Sequence, residues 1–137
     1  MPFDPTRDYP LGARRPDLVS TPRGTRLSEV TLDALRAGRI DSDEIRATPE
    51  TLRMQADVAR AAGRSALAEN LERAAELAGV PDDLLLAAYT ALRPRRATSA
   101  ELEEWAGRLD ALGASRTAAF VREAAVAYAE RGLLASG

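Results

Sequence analysis

The sequence contains no cysteine, no histidine and no lysine, so all 19 of its basic residues are arginine. Each absence removes a class of chemistry. Without Cys there are no disulfides, no thiolate nucleophile and no thiolate metal ligand. Without His there is no imidazole acid–base group, no Ser-His-Asp triad and no zinc site of the usual kind. Without Lys, Schiff-base chemistry and a P-loop lysine are excluded. Aromatic residues are scarce at 4%, against 45% hydrophobic residues overall, so the core is built mostly from Ala and Leu. Such helices approach closely, but each small side chain buries little area. Part of the stabilisation is therefore expected from a partner surface. An all-arginine basic set fits GC-rich coding as well as selection for bidentate contacts.

Long apolar runs are also missing. None approaches the about 20 residues that a membrane span requires. The stretch from Met1 to Asp8 is polar and broken by Pro2 and Pro5, without the apolar segment of a signal peptide. The net charge of −2 provides no general attraction for nucleic acid or an anionic membrane. These features predict a soluble cytoplasmic protein that binds neither.

At 137 residues the length suits one domain with a modest core. Residues 1–27 hold five of the eight prolines (Pro2, Pro5, Pro10, Pro16 and Pro22). Proline fixes φ and biases its predecessor away from helix. The segment reads as an extended N-terminal arm, with residues 28–137 as the helical domain. Tyr9, Leu11, Leu18 and Val19 are apolar and need cover. The arm is either a disordered leader or a strap lying across this domain or a neighbour.

From residue 28 the signals are helical. Thr31 is a predicted N-cap for Leu32–Ala37, and Gly38 the stop. Asp41-Ser42-Asp43-Glu44 reads as a second short helix with Glu at N3, stapled by Ile40 and Ile45. Thr48 caps a helix opened by Pro49 and stopped at Gly63. Its apolar residues form two stripes, Leu52, Ala56, Ala59 and Ala62, and Met54, Val58 and Ala61. Ser65 opens the next helix, with Leu67, Leu71, Ala74, Ala75 and Ala78 on one face. Pro81 opens another, with Asp82 and Asp83 in its first turn and Leu85, Ala88, Tyr89 and Leu92 as its buried face. Thr98-Ser99-Ala100-Glu101 is a capping box. It begins a helix whose inner side is Leu102, Trp105, Ala106, Leu109 and Leu112. Trp105 is either core or an interface anchor. The last helix, about Arg116 to Arg131, has Phe120, Val121, Ala124, Ala127 and Tyr128 as apolar residues. Gly132 and Leu133 suit a Schellman cap. No strand pattern of useful length occurs. The fold class is all-α, a small orthogonal or antiparallel helical domain with a Pro-rich N-terminal arm.

Residues that could carry chemistry are few. Asp82 and Asp83 are adjacent, as are Glu103 and Glu104. Neighbours on a helix point about 100° apart, so neither pair converges on one bond. No Gly-rich phosphate loop, EF-hand or zinc spacing is present. The layout Pro49–Ala62, Gly63, Ser65–Ala78 imitates a helix-turn-helix. Its second helix, however, would present Glu69, Glu72 and Glu76 to the phosphates, against a single Arg73. The cluster Arg93-Pro94-Arg95-Arg96 either complements a helix C-terminus or meets an acidic patch on a partner.

One resemblance spans nearly the whole chain from Tyr9. Thr48-Pro49-Glu50-Thr51-Leu52-Arg53-Met54-Gln55-Ala56 resembles the small (gamma) subunit of coenzyme-B12-dependent diol and glycerol dehydratases. So do Ala61-Ala62-Gly63-Arg64, Leu67-Ala68-Glu69-Asn70-Leu71 and Arg73-Ala74-Ala75-Glu76-Leu77. Upstream, Tyr9-Pro10-Leu11-Gly12, Arg15-Pro16-Asp17-Leu18 and Thr21-Pro22 continue the likeness. Downstream it includes Ala91-Leu92-Arg93-Pro94, Ala118-Ala119-Phe120-Val121-Arg122-Glu123-Ala124-Ala125 and Glu130-Arg131-Gly132-Leu133-Leu134.

The resemblance implies a largely helical subunit that joins a large (alpha) and a medium (beta) subunit, with two such heterotrimers forming a dimer. The assembly it implies uses adenosylcobalamin to convert 1,2-propanediol, glycerol or ethanediol to an aldehyde and water. Substrate, a bound cation and catalytic side chains would lie in the large subunit's barrel. The cobalamin would lie between large and medium subunits rather than on this chain. Some diol-type members carry longer N-terminal extensions linked to packaging in bacterial microcompartments. With only Met1–Asp8 ahead of the shared region, the start is more like the glycerol type. Packaging and substrate preference stay open.

On this reading the chain has no catalytic, cofactor-binding or metal-binding residue of its own. Its subunit-interface residues are expected to be Tyr9, Leu11, Arg14, Arg15, Asp17 and Leu18, then Arg93, Arg95 and Arg96. The alternative is a stand-alone helical adaptor.

Overall fold

All but one of the helix signals become helices in the structure, a computed structural model that describes residues 1–136. In chain order these are α1 (Leu11–Arg14), α2 (Leu32–Arg36), α3 (Pro49–Ala61), α4 (Ser65–Leu77), α5 (Asp82–Ala91), α6 (Ser99–Ala111) and α7 (Ser115–Arg131). Short 3-10 turns occupy Pro16–Leu18 and Leu27–Glu29. The all-α class holds: among the described residues the only β pairing is an isolated bridge between Ser20 and Arg26. The chain divides into two compact units, Met1–Ala75 and Glu76 onward. Residues 1–27 lie inside the first unit, and its boundary falls in the last turn of α4.

In the first unit α2 and α3 start where their caps predict. The Thr31 hydroxyl accepts the Ala34 N–H at 3.1 Å, and that of Thr48 accepts the Thr51 N–H at 3.2 Å. A cap of this kind contributes about 1 kcal/mol. Gly63 takes the left-handed φ of 76° that only glycine adopts freely. The Arg64 N–H then reaches back to the Ala59 carbonyl at 2.8 Å, closing a Schellman turn. This turn reverses the chain into α4. The small core here is Ala56, Ala59 and Ala68, with Leu71 packed against it.

Two local expectations fail in this unit. Asp41–Glu44 forms turns, not a helix. The Asp41 carboxylate does accept the Asp43 and Glu44 N–H groups, but the Glu44 side chain does not return to complete a capping box. It is buried, and it accepts the Thr21 and Thr25 hydroxyls at 3.2 and 2.8 Å. Ile45 is exposed, so only Ile40 acts as an apolar anchor. On α4 the predicted face is kept in its middle, with Ala75 buried and Leu71 and Ala74 half-buried, but Leu67 and Ala78 at its ends are exposed and Ala68 is buried instead. On α3, Ala61 and Ala62 are exposed, while Met54 and Val58 are half-buried.

The second unit is organised by the α6–α7 hairpin. Leu102, Ala106 and Leu109 recur at i, i+4 and i+7 and meet Ala114, Ala118 and Val121 at the same spacing. Val80 and Ala97 complete this buried cluster, and Leu84, Leu85, Leu92, Trp105 and Tyr128 pack on it half-buried. The capping box at Thr98 is formed in both directions, at 3.2 and 2.9 Å. The Leu133 N–H bonds the Tyr128 carbonyl at 2.8 Å, as the Schellman reading requires. Arg122 bridges α7 to α6 through Glu103 at 3.1 Å and Asp110 at 2.8 Å. Leu112 and Tyr89, assigned by periodicity to inner faces, are exposed instead, and Phe120 on α7 is exposed too.

Candidate subunit interface

The arm is folded back upon itself by charge. Asp8 is the hub, with only 4% of its surface exposed. One carboxylate oxygen accepts the Arg7 Nε–H at 3.1 Å; the other accepts the Asp4 N–H at 3.0 Å and an Arg15 Nη1–H at 3.1 Å. Arg15 also forks onto Asp17 through two bonds of 3.0 and 2.9 Å and reaches the Met1 carbonyl at 3.0 Å. Asp4 turns the chain locally, its carboxylate accepting both the N–H and the hydroxyl of Thr6.

The electrostatics follow from these contacts. The Arg7 bond, the Asp4 N–H and the Arg15 guanidinium hold the Asp8 carboxyl down to about 2, with desolvation opposing them. Arg15 lowers Asp17 below its ordinary value, and Asp17 and Asp8 in turn raise Arg15.

The interface residues expected from the sequence thus have unequal positions. Tyr9 is 55% exposed and joins Pro10 through a cis peptide. Arg14 is exposed. Leu11, by contrast, is 2% exposed and belongs to this chain's own core. Arg15 and Asp17 are engaged with each other, although much of Asp17 remains accessible. Leu18 is half-buried. Asp8, the centre of the network, is not among the residues that the sequence singles out. The available clue is its position between Arg7 and Arg15, but a spacing of seven residues through a turn shows no periodicity.

The second group sits in the loop between α5 and α6. Arg93, Arg95 and Arg96 are all exposed, and no ion pair holds any of them among the described residues. Their backbone is fixed nonetheless. Arg95 has φ of 64° and is the only non-glycine with positive φ among those residues. Its N–H donates to the Leu133 carbonyl at 2.7 Å, and the Ala135 N–H donates to the Ala97 carbonyl at 2.9 Å. The Tyr128 hydroxyl donates to the Leu92 carbonyl, one of the orphan acceptors at the end of α5. The residues after α7 therefore strap this loop in place, and the left-handed residue costs of order 1–2 kcal/mol that these contacts offset. The two groups belong to different units, the arm to the first and the loop to the second.

Among the described residues no group of three or more His, Cys, Asp or Glu is placed to hold a metal ion. No helix among them is long and apolar enough to cross a membrane.

A family model described as dehydratase small subunit matches residues 5–135. The propanediol dehydratase small subunit of Citrobacter freundii is 48% identical over 125 residues, which cover 90% of this chain and 73% of that protein. The protein of the same name from Salmonella typhimurium is also 48% identical over 125 residues, covering 90% and 72%.

Proposed function

This chain belongs to the dehydratase small-subunit family, and from that premise we propose that it is the non-catalytic small subunit of an adenosylcobalamin-dependent diol or glycerol dehydratase. The observation that carries the proposal is the likeness, along 90% of the chain, to two proteins named propanediol dehydratase small subunit. Their name favours 1,2-propanediol over glycerol as substrate. The partners are a large and a medium subunit, and the assembly is a dimer of heterotrimers.

The cofactor is assigned to those partners, as the resemblance to the family implies. The cleft along the arm, lined by Pro16, Val19, Gly24 and Leu27 among others, measures about 530 Å³. That is the size of a site for a drug-sized molecule. The role left to this chain is to bind and orient. Tyr9 and Arg14 present an aromatic ring and a guanidinium on the first unit, residue types enriched where interfaces hold their energy. Arg15, Asp17 and Asp8 hold the segment that carries them.

Co-expression with large and medium dehydratase subunits tests the proposal. The three chains should co-purify, and cobalamin-dependent aldehyde formation should fall when this chain is omitted. Absence of any complex, with activity unchanged by the omission, refutes it.

A further inference from the structure

Helix α5 differs from the other long helices in one respect. After Asp82 and Asp83 in its first turn, no charged residue occurs from Leu84 to Leu92. Only one side of it is used by the fold: Ala88 is buried, and Leu84, Leu85, Ala91 and Leu92 pack half-buried on the core of the second unit. On the other side Leu86 is 68% exposed and Tyr89 48% exposed, with Ala87 and Thr90 exposed beside them. Even the Thr90 hydroxyl turns inward, donating to the Leu86 carbonyl at 2.9 Å. The outer faces of α3 and α6 carry charges in every turn, including exposed Glu50, Arg53 and Asp57 on α3 and Glu103, Glu104 and Arg108 on α6. A helix apolar on all sides is ordinarily covered on all sides.

The face continues in two directions. Leu86, Tyr89 and Arg93 are spaced i, i+3 and i+7 and form one stripe, which ends at the strapped arginine loop. Laterally, Ala87, Thr90 and Ala91 form one wall of a groove of about 390 Å³ against α6. Trp105 lines that groove, with the Arg108 guanidinium 4.3 Å from its ring centre, and Arg96, Glu101 and Glu104 line it as well. Tyr, Trp and Arg together in one patch are the composition of an interface centre.

We infer that the outer face of α5, with its groove against α6 and the Arg93–Arg96 loop, docks onto a partner dehydratase subunit. The site it fits there is an apolar segment flanked by carboxylates. Charge complementarity selects that occupant. Arg93, Arg95 and Arg96 are exposed, form no ion pair among the described residues and sit on a backbone already immobilised; beside the two groove carboxylates they leave an excess of positive charge pre-organised for bidentate pairing. The inference rests on the small-subunit reading and identifies which surface of the second unit serves it.

The test uses the full chain co-expressed with the large and medium subunits. Leu86→Glu and Tyr89→Ala should each weaken association by at least about tenfold. The Arg93→Glu, Arg96→Glu double variant should weaken it similarly at low salt, with the loss shrinking at 1 M salt, where charges are screened within about 3 Å. All these side chains are exposed, so circular dichroism of the free variants should match wild type. Val126→Glu, at an exposed apolar position on α7, is the matched control and should bind normally. If wild type assembles while the α5 variants bind as tightly as it does, or the control is weakened equally, the inference fails and the small-subunit reading survives. If wild type itself does not assemble, both fail. Self-association of the isolated chain that Leu86→Glu abolishes would identify a second copy as the occupant and overturn the assignment to a partner subunit.

Discussion

Leu11→Ala separates two roles that its sequence context allows, a contact with a partner and a part of this chain's own core. The side chain is 2% exposed. The substitution removes three carbon atoms, worth about 2.4 kcal/mol of transfer free energy at ~0.8 kcal/mol each. The surrounding residues cannot fully close the space, so the cavity contribution brings the expected loss to about 3–4 kcal/mol. That is a large share of the 5–15 kcal/mol typical of a domain. The assay is urea unfolding of the isolated chain by far-ultraviolet circular dichroism. With a slope of about 1–3 kcal/mol per molar urea, the midpoint should fall by at least roughly 1 M. Amide exchange should localise the effect. The Arg14 and Arg15 N–H groups bond the Pro10 and Leu11 carbonyls at 2.9 and 2.8 Å, and their protection should drop most. Tyr9→Ala, two residues away but 55% exposed, should change stability by no more than about 0.5 kcal/mol. A Leu11→Ala chain with the wild-type midpoint, whose only defect appears in assembly, would refute the placement of Leu11 in the core.

Two further outcomes follow from the same structure. The Asp8 carboxyl is depressed to about 2 in the folded chain from an ordinary 3.8. A depressed acid contributes stability that is complete above its unfolded value and is lost as pH falls toward the folded one. The arm should therefore hold at neutral pH and loosen between about pH 4 and pH 2, as followed by the Arg15 backbone amide resonance, whose N–H bonds the Leu11 carbonyl; Asp8→Asn should abolish that transition. In the second unit, Leu102→Ala should destabilise by about 3–5 kcal/mol, because Leu102 is fully buried among alanines that offer little to refill its space. Trp105 fluorescence during urea unfolding measures it, and a loss below about 1 kcal/mol would contradict the packing.

Local chemistry is readable in the sequence, and tertiary chemistry is not. The caps at Thr31, Thr48 and Thr98, the stop at Gly63 and the Leu133 turn each depend on a few neighbouring residues, so the sequence determines them directly. The absence of Cys, His and Lys likewise bounds the chemistry through composition alone. Buried faces are less secure. Alanine is small enough to sit on either side of a helix, so periodicity allows Leu67, Tyr89 and Leu112 to be placed inward when they lie outward. Position around a helix is decided by which neighbour supplies the opposing surface.

Contacts across turns are beyond the sequence altogether. The pairing of Asp8 with Arg7 and Arg15, the burial of Glu44 beneath two threonine hydroxyls and the strap from Leu133 to Arg95 join residues with no common period. Leu11 and Arg95 mark the division most clearly. The sequence by itself determined that one is apolar and the other cationic, and that both lie near proline. Only the tertiary structure decided that Leu11 is covered by its own chain while Arg95 stands exposed on a fixed loop, because cover comes from residues brought close by folding.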